Sequence, residues 1–486
     1  MGESSGAPRL SRRQFVIGAA GLGAVALGGG AYELVRRTSV GAASTDTVRS
    51  YISRPDLQPP AVDVLTAPSG AAPGEIFIAP SSGPGQHGPM ILDARGDMVW
   101  FHPTTPLTSM DFRVATYKGK PVLTWWESLP GRGLGNGRHV IMDASYRQIA
   151  SFPAGGGRPA DLHEFRITSR DTGLVTALEF RRMDIRRHGG SRHGLVLGGV
   201  AQELAIPSGR VLWEWRSLDH VPVGDTYATK IGYPWDYFHI NSIEIADDGH
   251  YLISGRNTWC VYKVDRHTGK VIWRLGGKNS DFTLGNGARF AYQHDARQLH
   301  GSTVSVFDNG GAESVQVESQ SRGLVLHLDM KAKHASLARA LTHKPSLYGR
   351  IMGNVQHLSN GNFMVGWGAD PHLTEFGADG SVHFDATLPH GGESYRAFRL
   401  PWSGKPAEPP VAVSSGKTLY ASWNGATDVV AWRLLAGPSA DALAEKASVQ
   451  RQGFETALPL AGERFAAAAA LDAAGHELAR TAPVTV

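Results

Sequence analysis

The sequence predicts an all-β protein, a six-bladed β-propeller followed by a small C-terminal β-sandwich. Three observations lead there. The 486 residues contain 59 glycines and 12 tryptophans with few long helical patterns, which favours many short strands joined by turns. One strand–turn–strand pattern recurs six times. A proline-rich segment then separates these copies from a tail of different texture.

The recurring unit is an apolar strand, in most copies ending in an acidic residue, then a turn and a strand carrying an aromatic or apolar residue. Ile91-Leu92-Asp93 leads through Gly96 to Val99-Trp100-Phe101, and Val261 to Asp265 leads through Gly269 to Val271-Ile272-Trp273. Leu204 to Ile206 leads to Val211-Leu212-Trp213, and Phe376 to Val382-His383-Phe384. Two weaker copies run from Ile141-Met142-Asp143 to Ile149 and from Leu326-His327-Leu328-Asp329 to Leu337. Alternating segments precede five of the copies: 122–126, 174–178, 251–254, 304–307 and 362–367. Alternation of period two buries one face of a strand and turns the other outward. Six such units at roughly even spacing of about 50–60 residues read as six blades; two stacked sandwiches are the structural alternative.

The expected organisation is an export signal over 1–43, an extension over 44–73, the propeller over 74–402 and the sandwich over 403–486. Pro406 to Pro410 reads as a linker. The short apolar runs after it resemble a fibronectin type III unit.

At the start, Ser11-Arg12-Arg13-Gln14-Phe15-Val16 opens a glycine-rich apolar run to Val35, which resembles a twin-arginine export signal. Export to the cell envelope or exterior is expected, with membrane anchoring through the same run as the alternative. Residues 1–43 hold five arginines against two glutamates, or +3 of the formal +4, so the remainder carries about +1. That balance gives no reason to expect a nucleic-acid partner. Cys260 is the single cysteine, which excludes an intramolecular disulfide and cysteine-rich zinc motifs. Its apolar neighbours suggest a small buried hydrophobe.

Chemistry is concentrated where the first strand of a blade begins. His163 lies ten residues before Gly173, His239 ten before Gly249, and His294 seven before Gly301. The first strands of a propeller line its central channel, so these three histidines are expected to converge. His357 is only four residues before Gly361 and breaks the pattern. Arg256 ends the strand after His239, and its forked guanidinium suits an oxyanion. Arg297 and Lys278 are weaker candidates, and Tyr292, Tyr237 and Trp235 could flank an aromatic substrate or simply pack in the core.

Five blocks carry a family resemblance. They are Phe238-His239-Ile240-Asn241-Ser242, Tyr251 to Arg256, Val271 to Gly277, Gln293-His294-Asp295-Ala296-Arg297 and Phe307-Asp308-Asn309-Gly310. In order and spacing they resemble the arylsulfotransferases of bacteria and fungi over about residues 75–400. The resemblance implies a nucleotide-independent enzyme without a cofactor, taking sulfuryl from a phenolic sulfate ester to a phenol through a sulfohistidine. It implies His294 as nucleophile, with His163, His239 and Arg256 on the sulfuryl oxygens and the leaving phenolate. Tyr292, Asn241, Arg297 and Tyr237 are the expected substrate-binding residues, and no metal is expected. Asp295 is adjacent to His294, but neighbouring strand residues face opposite sides, which argues against its orienting the ring. The rival readings are a non-catalytic binding propeller, a quinoprotein oxidoreductase and a three-histidine metal site.

Overall fold

The computed structural model describes residues 47–129, 137–228, 232–312 and 315–486. The twin-arginine segment lies outside the described residues. Among these residues nearly every regular element is a strand, in a β-propeller-like arrangement.

Six sheets, each with an antiparallel core of four strands, make up the ring, and five of them follow one plan. In sheets 2 to 6 the chain enters on an inner strand and steps outward through three more in sequence order. The inner strands are Thr108–Tyr117, Ala160–Ile167, Ile240–Ile245, His294–His300 and Asn354–His357. Sheet 1 is built differently. Its inner strand, Glu393–Leu400, arrives from the far end of the sequence and pairs with Glu75–Ser82, Phe77 opposite Phe398. Each inner strand touches the next, and Glu393–Leu400 touches both Thr108–Tyr117 and Asn354–His357, so the sheets form a closed ring.

All six copies of the sequence repeat fall at the hairpin between the third and fourth strands of a sheet. Ile91 pairs with Trp100, Ile141 with Ala150, Lys263 with Trp273, and Leu326 with Leu337. The five alternating segments are the second strands. Their inward residues help fill apolar layers between sheets: Leu252, Val304 and Val306 share one buried cluster with Val261, Leu275 and Leu324 of the third and fourth strands. Each such side chain contributes about 1.5–3 kcal/mol when fully buried. The extension before the ring is not loose throughout, since Asp63–Thr66 adds a fifth strand to sheet 6 against Val382–Thr387. Gly276 and Gly277, in one of the family-like blocks, have φ of 83° and 73°. A Cβ there would lie 2.6 Å and 2.8 Å from the backbone oxygens of Trp259 and Thr258, so no side chain fits.

Toward the C-terminus, Val411–Ser415, Thr418–Ser422 and Glu455–Pro459 form one sheet. Ala431–Gly437, Ala444–Gln450, Phe465–Leu471, Glu477–Arg480 and Val484–Thr485 form another. Leu419, Leu458, Trp432, Leu434 and the alternate alanines Ala466, Ala468 and Ala470 share one core between them. This unit is fastened to the ring by polar contacts. The Tyr146 hydroxyl donates to the Gly425 carbonyl at 2.7 Å, and the Asn424 amide bonds both backbone groups of Phe101 at 3.0 Å.

Between the inner strands lies a buried cluster of ions. Glu164 accepts from Arg113 at 2.9 Å, Arg396 at 3.0 Å and Arg297 at 2.6 Å. Asp111 pairs with Arg396 at 2.7 Å and with Arg113, and Asp295 pairs with Arg297 at 2.6 Å. Three guanidiniums thus face three carboxylates contributed by sheets 1, 2, 3 and 5. Burial pushes the Glu164 carboxyl up, but Arg297, Arg396 and Arg113 outweigh it and hold it well below the usual carboxylate range.

Candidate active site

The ladder is irregular where the histidines enter. Register shifts occur between Ile240 and Ser242 and between His294 and Arg297. His239, Tyr292 and Asp295 all have φ near 55°, in the left-handed region that side chains with a Cβ rarely occupy. Such backbone costs on the order of 1–3 kcal/mol per residue and gathers at functional sites. Here it breaks the simple alternation of the inner strands.

The three histidines do come together. His163 and His239 have ring centroids 4.9 Å apart, and His163 and His294 6.2 Å. One ring nitrogen from each of the three lies within 4.8 Å of the others. Each Nδ1 has a separate partner: Asp161 Oδ2 at 2.7 Å for His163, Asp236 Oδ2 at 2.5 Å for His239, and Asn309 Oδ1 at 2.7 Å for His294. The Nε2 nitrogens are therefore the ones left to converge.

These partners set up different chemistry. The Asn309 amide nitrogen donates to the carbonyls of Gly349 at 2.6 Å and Met352 at 2.9 Å. That fixes the amide orientation, so its Oδ1 accepts and His294 Nδ1 must carry the proton. Neutral His294 then presents an unprotonated Nε2. Burial, the Arg256 charge and His163 together hold the His294 pKa well below the ordinary imidazole value. His163 and His239 instead face carboxylates. For His239 burial still prevails over Asp236 and lowers its pKa. Asp161 is pushed up by burial, but His163 outweighs this and the carboxyl stays below its usual range. The constellation is a buried neutral base beside two imidazoles backed by carboxylates.

Arg256 lies close enough for its charge to depress both His294 and His239. Its guanidinium sits 5.0 Å from the Tyr292 ring centroid and donates to Asn257 Oδ1 at 3.1 Å. Tyr292 is thus placed as a platform for Arg256, with Trp259 packed edge-on against it at 5.1 Å.

Three other sequence-predicted substrate residues have at least part of their polar side chain engaged elsewhere, while Asn241 Oδ1 is buried without a hydrogen-bond partner. Tyr237 is fully buried and its hydroxyl donates to the Val221 carbonyl at 3.2 Å. Arg297 belongs to the ion cluster. Asn241 clamps two sheets together through an amide bond to the Gln293 carbonyl at 2.7 Å. Lys278 bonds the Thr226 carbonyl at 2.6 Å, Trp235 is buried in the core, and His357 is exposed against Phe363. Cys260 is buried and burial raises its thiol pKa. Asp295 does not orient His294. Its carboxylate holds Arg297 and accepts from the Val355 backbone at 3.2 Å.

Asn309, Asp236 and Tyr395 were not picked out by sequence reasoning. A carboxylate two residues before His163 and three before His239 was a legible signal for Asp161 and Asp236. Tyr395 sits on the ring-closing strand, its ring 5.7 Å from His163 and 6.5 Å from His294, and no local pattern announces it.

Asn309→Ala is expected to lower kcat by about 10–100-fold with little change in KM, because an outer partner that selects a tautomer acts on the His294 ring and not on substrate binding. An unchanged kcat would remove Asn309 from the chemistry.

The sequence profile of a family described as Arylsulfotransferase (ASST) matches residues 113–388. Among curated proteins none matches the chain. Among solved structures, a protein of unknown function from Bacteroides caccae is similar with a TM-score of 0.42 and 14% identity, over 67% of this chain and 98% of that one. Virginiamycin B lyase from Staphylococcus aureus has a TM-score of 0.35 and 8% identity, over 74% and 95%. The periplasmic gluconolactonase PpgL of Pseudomonas aeruginosa has 0.35 and 12%, over 80% and 99%.

Proposed function

The chain belongs to the arylsulfotransferase (ASST) family, and from that premise we propose that it moves a sulfuryl group from a phenolic sulfate ester to a phenolic acceptor through His294. The observation that carries this reading is the fixed tautomer of His294, a neutral, buried imidazole whose Nε2 meets two carboxylate-backed imidazoles beside an arginine.

The steps follow from that arrangement. His294 Nε2 attacks the donor sulfur, the nitrogen–sulfur bond forms and the sulfur–oxygen bond to the phenol breaks. His163 or His239 gives a proton to the departing phenolate. Arg256 faces the sulfuryl oxygens, whose charge is greatest in transit. An acceptor phenol then loses its proton to the same imidazole and its oxygen attacks the sulfohistidine, returning His294 to its starting state. No cofactor enters. In this reading the ring is a six-bladed propeller, the C-terminal unit a small sandwich, and residues 1–43 an export signal that places the enzyme in the cell envelope or outside.

The test is p-nitrophenol release from p-nitrophenyl sulfate, with and without added phenol. Release that rises with acceptor is expected. The acid limb of the first half-reaction should lie below pH ~6.5, the ordinary imidazole value, because His294 must be neutral and its pKa is depressed. A limb at or above that value would contradict His294 as the attacking base. No release across a panel of donors would favour a binding propeller.

One observation favours a second reading. Three imidazoles, each with Nδ1 held by an outer partner, are also the pattern of a metal centre. The Arg256 charge beside them opposes a cation there. One equivalent of metal lost on His294→Ala would reverse the preference.

A further inference from the structure

A second group of ligating side chains lies away from these histidines, at the seam between sheets 5 and 6. His343 follows the outer strand His334–Leu341 of sheet 5, while His372 and Asp385 stand on the third and fourth strands of sheet 6. One atom from each lies within 4.8 Å of the others. His343 and Asp385 are buried.

Hydrogen bonds around the group turn His343 Nε2 and one Asp385 oxygen toward each other. His343 Nδ1 lies 2.8 Å from the Pro345 carbonyl, which can only accept, so Nδ1 carries a proton. His343 Nε2 then faces Asp385 Oδ2 at 3.2 Å. A neutral imidazole and a carboxylate both present lone pairs there, so a proton or a cation must lie between them. The other Asp385 oxygen accepts from Thr374 Oγ1 at 2.7 Å, and Thr374 in turn accepts from Trp367 Nε1 at 3.0 Å. His372 Nδ1 is buried without a hydrogen-bond partner. Its ring lies 5.0 Å from that of His343.

We propose that His343, His372 and Asp385 bind a divalent cation of the zinc class that fastens sheet 5 to sheet 6, with water completing the coordination. The spacing of one ligand pair fits the ion. Bonds of about 2.0–2.2 Å in a tetrahedron hold two ligand atoms about 3.3–3.5 Å apart, close to the 3.2 Å between Nε2 and Oδ2. The Pro345 carbonyl and the Thr374 hydroxyl are the outer partners that such ligands require. Two imidazoles with one carboxylate suit zinc or cobalt and disfavour calcium and magnesium, which prefer oxygen alone. His372, with its side chain 18% exposed, leaves an entry path.

The test loads the purified full chain with Zn²⁺, dialyses away excess and counts retained metal. Co²⁺ loading reads the ligand field by its visible spectrum. The expected result is one equivalent retained at this site, lost in His372→Gln and Asp385→Asn and kept in His294→Ala. Zn²⁺ should also raise Tm in the parent protein and not in His372→Gln. No retained metal in the parent protein, or retention unchanged in His372→Gln, would overturn the proposal. Loss in His294→Ala alone would assign the metal to the other histidines and overturn it equally. Should Asp385→Asn fail to fold, the half-buried His372→Gln decides the matter.

Discussion

His294→Ala is expected to reduce sulfuryl transfer by at least about a thousandfold, because in the proposed reaction His294 is the covalent nucleophile and its loss removes the two-step route. The reason lies in the surroundings of this one ring. Asn309 accepts its Nδ1 proton, burial and Arg256 keep it neutral, and its Nε2 is the nitrogen turned to His163 and His239. His163 and His239 are held by carboxylates through Nδ1, and Cys260 is a buried thiol with a raised pKa. The check is intact-mass spectrometry after mixing with p-nitrophenyl sulfate and quenching in base. The parent protein should gain one sulfuryl group and the variant none. A variant that still labels would show that another residue is the nucleophile. His163→Gln should behave differently, labelling slowly but remaining labelable, because His294 survives.

Glu164→Gln is expected to destabilise the fold by about 3–5 kcal/mol, the usual consequence of stripping one partner from a buried ionic network. Glu164 has no exposed side-chain surface and accepts from Arg113, Arg297 and Arg396. Replacing its charge leaves three buried guanidiniums against two carboxylates. These arginines stand on the inner strands of sheets 1, 2 and 5, so the loss falls on ring closure and not on one sheet. Thermal melting followed by tryptophan fluorescence would measure it, and an unchanged Tm would show that the cluster does not hold the ring. The same group sets a pH dependence. The Glu164 carboxyl is depressed in the folded chain, so its contribution is fully present above the ordinary carboxylate value of about 4.3 and is lost as pH falls through the lower folded value. The parent protein should therefore lose stability on acidification, and Glu164→Gln should lose less of it.

Much of this molecule is legible in one dimension because a repeat is a local object. An apolar strand, a glycine turn and an aromatic strand pair with each other whatever lies elsewhere, so all six hairpins appear where the sequence places them. The alternating segments become second strands for the same reason. The histidines were legible as a set because equivalent inner-strand positions point at a common axis, and His163, His239 and His294 do meet.

What the sequence could not decide is whatever depends on residues far apart or on broken periodicity. Tyr395 and Arg396 reach the inner face only because Glu393–Leu400, from the far end of the sequence, closes the ring by pairing with Glu75–Ser82. Arg297 looked like a substrate contact, but Glu164, 133 positions away, takes its guanidinium into the buried ion cluster. Tyr237 looked like an aromatic wall and is buried, bonded to the Val221 carbonyl. Asn309 stood only as part of a family-like block, yet the carbonyls of Gly349 and Met352, on the connection between sheets 5 and 6, fix its amide and thereby the tautomer of His294. Hydrophobic periodicity, acting within a few residues, determined the sheets; hydrogen-bond orientation and charge pairing between distant strands decided which polar groups are consumed in closing the ring and which are left for chemistry.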